Sequence, residues 1–145
     1  MCGIAGICRQ AGISQADVDQ VKQMNTLQKH RGPDAEGLFS DSCVVLGHRR
    51  LAIIDLSSDG KQPFASDDGR YQLVFNGEIY NYLELREELR RCGWKFRTKT
   101  DTEVLLKAYQ HYGEECLHRF NGMFAFAIYD AHQQRLFLAR DRVGI

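Results

Sequence analysis

An α+β fold is predicted, with two stacked sheets and helices on the outside. Three observations predict it. Strand-like runs come in pairs joined by short turns, helical periodicities are grouped between those pairs, and MFAFAIYD near the end of the chain is apolar on both of its faces. Hairpin-connected strands with segregated helices indicate α+β rather than a doubly wound sheet. A strand apolar on both faces needs a covering layer on each side.

Residues 2–8 (CGIAGIC) are small or apolar and read as a buried strand. Ser14, with Asp17 three residues on, marks a helix start. Val18, Val21, Met24 and Leu27 then recur at helical intervals, although the stripe drifts. HRGPD (His30 to Asp34) stops that helix, because proline restrains the preceding residue as well as itself. Strands near 36–40 and 43–50 meet at a turn, Asp41–Ser42, and LAIIDL continues apolar. SSDGKQPF is rich in turn residues and reads as a surface loop. Asp68–Gly69 is a tight turn that feeds a central strand, YQLVF (Tyr71 to Phe75), with a further turn beginning at Asn76–Gly77. Asn81 is placed to cap a helix whose apolar face is Tyr82, Leu85, Leu89 and Cys92, and Gly93 is a good terminator. Trp94, Phe96 and Thr98 alternate as a short strand would. Thr100 or Asp101 caps the next helix, with inner face Val104, Leu105, Ala108, Tyr109 and Tyr112. A turn at Ala131–Gln134 makes MFAFAIYD and RLFLARD a hairpin. No internal repeat, linker or low-complexity segment interrupts the chain. DRVGI follows a strand and stops on an apolar Ile145, which is expected of a piece of a longer protein.

The 145 residues suffice for one domain with a real core. Apolar residues are 43% and charged residues 26%, ordinary values for a globular protein. Lys plus Arg and Asp plus Glu are both 19, so the formal net charge is zero, which gives no support to a nucleic-acid footprint. No apolar run approaches the ~20 residues of a membrane span, and the N-terminus lacks the pattern of a secretory signal. A cytoplasmic location is expected. The five cysteines form no CxxC pair, no HExxH is present, and the five histidines (His30, His48, His111, His118, His132) show no ligand spacing, so no metal site, disulfide framework or catalytic histidine is assigned. Cys8, Cys43, Cys92 and Cys116 are expected to be small core residues. Glu114–Glu115 and the charged run from Arg86 to Arg91 read as solvated helix faces.

Four stretches could carry chemistry. In MCGIAGI, removal of Met1 would leave Cys2 with both a thiol and a free α-amine. An α-amine titrates at about 7.7–8.0, whereas a lysine at ~10.4 would be protonated and useless as a base. One residue could then supply nucleophile and base together; alternatively, any residue can follow an initiator methionine. In FNGEIYN, the Asn76 amide and the Gly77 N–H could aim at one oxyanion, or form a plain Asn–Gly turn. In GHRRLAIIDLS, adjacent Arg49 and Arg50 face opposite sides of a strand, so one could grip a carboxylate in bidentate fashion, or both could be solvated. In TKTDTEVLL, Asp101 is either a helix cap or the partner of a ligand ammonium.

Taken together, MCGIAGI, HRGPD, GHRRLAIIDLS, QPF, FNGEIYN, TDTEVLL, GMFAFAIYD and ARDRVGI occur in this order from Met1 to Ile145. The chain resembles the glutaminase domain of class II glutamine amidotransferases, in the asparagine synthetase B branch of the N-terminal nucleophile hydrolases. The resemblance implies a four-layer α/β/β/α sandwich of two antiparallel sheets. It implies Cys2 as the nucleophile, the Asn76 side chain and Gly77 N–H as the oxyanion hole, and Arg50 as the carboxylate-binding residue. Backbone groups of Leu51, Ala52, Ile53 and Ile54 would line the same pocket, and Glu78 and Asp101 would hold the amino end of glutamine. It also implies that residues 1–145 are one glutaminase domain lacking its C-terminal strands. A synthetase domain would follow in the same chain, using ATP and Mg to make asparagine from aspartate, while these residues themselves need no cofactor. A homodimer is left open. Two alternatives stand beside this expectation: a relative that amidates a sugar or peptide, and a non-catalytic glutamine-binding module.

Overall fold

The computed structural model describes residues 2–55 and 58–145, with the side chain of Ser58 excepted. The first antiparallel sheet has β1 (Gly3–Cys8) at one edge, β2 (Ala35–Ser40) at the other and β3 (Val44–Arg50) between them. Helix α1 (Gln15–Leu27) lies on this sheet. It starts at Ser14 through a capping box with Asp17, as the spacing predicts. The second sheet runs β4 (Phe64–Ala65), β5 (Tyr71–Ile79), β6 (Gly122–Asp130) and β7 (Arg135–Arg140) in that order, all antiparallel. Helices α2 (Tyr82–Arg91) and α3 (Asp101–Tyr112) form the layer outside it.

Strand alternation sends each side chain to one of two cores. Val44 and Leu46 of β3 meet Val74, Ala127 and Tyr129 of the second sheet in the inter-sheet layer, with Ile4, Phe39 and Leu136 at its margin. Phe75, Phe124, Phe126 and Ile128 face the other way, onto Leu85, Leu89, Val104 and Leu105 of the helices. The four-layer sandwich is therefore set by two apolar stripes per central strand. Cys2, Ile4, His48, Arg50, Val74 and Asn76 share the parity that points between the sheets.

Several sequence expectations are corrected. Strand β1 is an edge strand, and only its Gly3 is buried. The drifting stripe of α1 leaves Leu27 77% exposed, and the helix buries Asp17 and Asn25 beside Val21 instead. β5 does not end at Phe75; it pairs with β6 as far as Ile79↔Gly122, so Asn76–Gly77 is strand and not turn. The 94–98 segment is not a strand, because its backbone groups go to side chains: Glu103 accepts from the Arg97 and Thr98 amides, and Arg86 donates to the Thr98 and Thr100 carbonyls. Arg86 is accordingly buried rather than solvated. Asn81 precedes α2, yet its side chain donates to the Arg119 carbonyl and accepts from the Asn121 amide instead of capping. Cys8 and Cys92 are exposed, Cys43 is half-buried against the Tyr129 hydroxyl, and Cys116 alone is a core cysteine, with its thiol pushed up to about 12 by burial.

Candidate active site

Cys2 sits immediately before β1, where the HRGPD loop and the end of β3 close around it. Arg31 donates from Nε to the Cys2 carbonyl at 3.1 Å. A Cβ on Gly32 would lie 2.4 Å from the Arg49 backbone, so only glycine allows the loop to lie this close to β3. The Asp34 amide donates to the Arg50 carbonyl, and the Asp34 carboxylate accepts from the Ala52 amide at 2.8 Å. The Leu51 amide points at the Cys2 sulfur at 3.4 Å. The motif read from sequence as a helix breaker and as one of the family motifs thus builds the seat of Cys2. Arg31 and Asp34 were missed because an arginine and an aspartate flanking Gly–Pro give no chemical signature until the loop is folded.

The two arginines part as alternation requires. Arg49 turns away from the inter-sheet layer, donating to the Gly32 carbonyl and to Glu36 at 2.9 Å. Arg50 turns inward, is 8% exposed, and donates to the Asp55 carbonyl. Gly60 closes over its guanidinium, and a Cβ there would meet Nη2 at 2.5 Å.

The opposite wall is the edge of β5 beyond the two-residue strand β4. Backbone groups of residues 71, 73, 75, 77 and 79 face that edge. The Tyr71 amide is taken by Ser66 Oγ, Leu73 pairs with Phe64, the Phe75 amide donates to Gln62 Oε1 at 2.6 Å, and the Ile79 amide donates to Asp101 Oδ2 at 3.1 Å. Gly77 remains, an edge amide flanked by pinned neighbours and with no hydrogen-bond partner of its own among the described residues. Its φ is +148°, and a Cβ would fall 2.1 Å from the Met123 carbonyl oxygen. Asp101 can reach Ile79 because Thr100, not Asp101, caps α3, its hydroxyl accepting from the Glu103 amide.

These walls enclose a cavity of about 90 Å³. Cys2, Arg50 and Leu51 line it from the first sheet and its following loop, with Ile53 and Ile54. Gly77, Glu78 and Asp101 line it from the other side. Two predicted residues stand outside this lining. Ala52 turns its amide to Asp34, as above. Asn76 lies on the inter-sheet face of β5, with its Oδ1 buried and without a hydrogen-bond partner among the described residues. Gln62, Thr100 and Thr102 line the cavity although the sequence reading assigned them nothing. Leu56 and Ser57, the end of the LAIIDLS motif, lie outside the described residues.

The site's electrostatics are set by burial. Asp101 is 5% exposed, and desolvation, helped by the charge of Glu78, raises its carboxyl to about 6 against the opposing Ile79 hydrogen bond. His48 is fully buried and is held neutral, its ring pushed down to about 4 by desolvation. Glu78 and Asp101 line one side of a small cavity, and Arg50, Asp55 and the residue bearing the thiol, Cys2, also line it. That arrangement suits an amino acid, with its carboxylate on Arg50, its ammonium on the acidic side and its side chain directed at sulfur. Among the described residues, no group of three or more His, Cys, Asp or Glu is placed to hold a metal ion.

The fold matches that of a glutamine phosphoribosylpyrophosphate amidotransferase from B. subtilis, with a TM-score of 0.73 at 22% identity over 99% of this chain and 37% of that one. This is the N-terminal nucleophile hydrolase fold. The profile of the glutamine amidotransferase domain matches residues 1–145, and the chain belongs to that family. Within it, the chain is similar to asparagine synthetase [glutamine-hydrolyzing] 1 of Bacillus subtilis, 49% identical over the whole chain and 23% of that protein. It is 42% identical to a putative asparagine synthetase [glutamine-hydrolyzing] 2 of Methanocaldococcus jannaschii and 40% identical to a probable asparagine synthetase of Schizosaccharomyces pombe, covering 31% and 26% of them. The chain therefore spans about a quarter to a third of the length of these relatives.

Proposed function

We propose that this chain hydrolyses glutamine to glutamate and ammonia, with Cys2 as an N-terminal nucleophile. The observation that carries the reading is the convergence of the Cys2 thiol, the Arg50 guanidinium, the Gly77 amide and the Asp101 carboxyl on one cavity. With Met1 removed, the α-amine of Cys2 takes the thiol proton, directly or through water. The sulfur attacks the side-chain amide carbon, and the negative oxygen is received by the Gly77 N–H and the Asn76 amide group. The tetrahedral adduct collapses to a glutamyl thioester as the amine returns its proton to the leaving ammonia. Water then cleaves the thioester, restoring the thiol and releasing glutamate. The likeness to asparagine synthetases along the entire chain supports a fate for the ammonia: transfer to a synthetase domain that amidates aspartate. ATP and Mg would serve that second domain. No helix among the described residues is long and apolar enough to cross a membrane, and a cytoplasmic enzyme is the setting we propose.

Two measurements test this. A stable tag fused ahead of Cys2 keeps the thiol and removes the free amine, and glutamate release is expected to fall by about 10²–10⁴-fold, the usual value of a positioned base. Undiminished turnover would contradict the proposed base. The second concerns pH. Asp101 must be ionised to hold an ammonium, and burial raises its carboxyl to about 6. The KM for glutamine is expected to be about tenfold higher at pH 5 than at pH 8. Asp101→Asn should raise KM at pH 8 and flatten the dependence; a steep dependence surviving in that variant would assign the titration elsewhere.

A further inference from the structure

The edge of β5 presents a physical problem that the proposed chemistry does not solve by itself. Among the described residues, β4 supports β5 only at Leu73 and Gln72, so the strand proposed to carry the oxyanion donor has no ladder partner there on that side from residue 74 onward. Two buried side chains replace the missing strand. Gln62 accepts the Phe75 amide through Oε1 at 2.6 Å and donates through Nε2 to Thr102 Oγ1 at 3.4 Å. His48 reaches across from β3 to the Phe75 carbonyl at 3.1 Å. A carbonyl can only accept, so Nε2 carries the proton and Nδ1 is a bare acceptor. That Nδ1 is buried and has no partner among the described residues. A histidine that leaves one nitrogen unsatisfied in a core is a poor packing residue, and a leucine would fill the space without that cost. What the histidine adds is the bond to Phe75.

We propose that His48 and Gln62 are positioning residues for the oxyanion donor: by clamping both backbone groups of Phe75 they hold the Gly77 N–H, the next group on that edge, aimed into the cavity. Asp101 pins the far side at Ile79. His48 lies two residues before Arg50 on β3, so the same bond ties the sheet bearing the sulfur and the guanidinium to the sheet bearing the donor. A clamp of this kind acts on the transition state, because glutamine in its ground state does not yet bear the negative oxygen.

This inference rests on the proposed hydrolysis at Cys2, and the test separates the two. In the intact protein that carries this chain, kcat and KM for glutamine are measured for His48→Leu, His48→Gln and Gln62→Met. Affinity for a γ-aldehyde analogue of glutamine, whose thiol adduct carries the tetrahedral oxygen, is measured alongside. His48→Leu and Gln62→Met are expected to lower kcat by about 10–100-fold, as a donor displaced by a fraction of an ångström would. KM should stay within about threefold, and affinity for the aldehyde should fall by the same factor as kcat. His48→Gln, which can place an amide N–H where Nε2 stood, is expected to recover kcat to within about fivefold of the parent. Gln62→Met is read independently of how well His48→Leu folds. Unchanged kcat in the folded variants overturns the proposal, and so does a loss that His48→Gln fails to recover. Activity persisting in Cys2→Ala would sink the underlying reading instead, whereas an inactive Cys2→Ala beside a fully active His48→Leu sinks only the clamp.

Discussion

Cys2→Ala is expected to reduce glutamate formation by at least about 10⁴-fold while glutamine still binds, a loss on the scale seen when a nucleophile is deleted from a covalent mechanism. The geometry separates these two consequences. The groups assigned to the carboxylate and the ammonium, Arg50 and Asp101, owe their placement to β3 and to the cap of α3, not to the sulfur. Truncating the thiol removes the Leu51 N–H contact and leaves the Arg31 bond to the residue-2 carbonyl intact. Glutamate release in a steady-state assay and glutamine binding by calorimetry read the two outcomes, and turnover above a hundredth of the parent would remove Cys2 from the mechanism.

Gly77→Ala is expected to lower kcat by about 10²–10³-fold, the usual consequence of losing one oxyanion donor, and to lower Tm as well. An added methyl would collide with the Met123 carbonyl at 2.1 Å, and the residue's φ of +148° strains any L side chain. β5 would have to part from β6 at the point where the donor is displayed. Gly69 supplies the control. Its φ is +73°, and a Cβ there meets nothing within 4 Å, so Gly69→Ala carries a backbone penalty of about 1–2 kcal/mol without touching the pocket. Loss of kcat in Gly77→Ala with parental kcat in Gly69→Ala assigns the effect to the donor. Equal kcat in both would sink the assignment of Gly77.

Much of this architecture was legible in the chain because its signals are local. The Ser14–Asp17 box, the Asp68–Gly69 turn, the heptad-like stripe of α2 and the two-faced apolar run of β6 each depend on residues a few positions apart. The candidate site residues came from a different source: their motifs resemble those of a known family, and parity said only that Arg49 and Arg50 part, while the resemblance chose Arg50. What was missed is non-local. Glu103 and Arg86 look like surface charges until the loop at 97–100 folds onto them. Asn76–Gly77 looks like a turn because the pairing that keeps it in a strand comes from residues 122–126, almost fifty positions away. His48 looks like one of five unassigned histidines until the second sheet brings the Phe75 carbonyl to it. In each case a short-range preference yielded to a partner that sequence spacing does not reveal.

In the mechanism we propose, the attacking atom belongs to one layer of the sandwich and the group that receives the negative oxygen belongs to the other. Their alignment is therefore only as good as the seating of Val44 and Leu46 against Val74, Ala127 and Tyr129. Trimming any of these, far from glutamine, lets one slab creep over its neighbour by a fraction of an ångström. Such a protein would keep its helices and its bulk stability yet turn over slowly, so the greasy interior is as much a part of the catalyst's alignment as the polar rim.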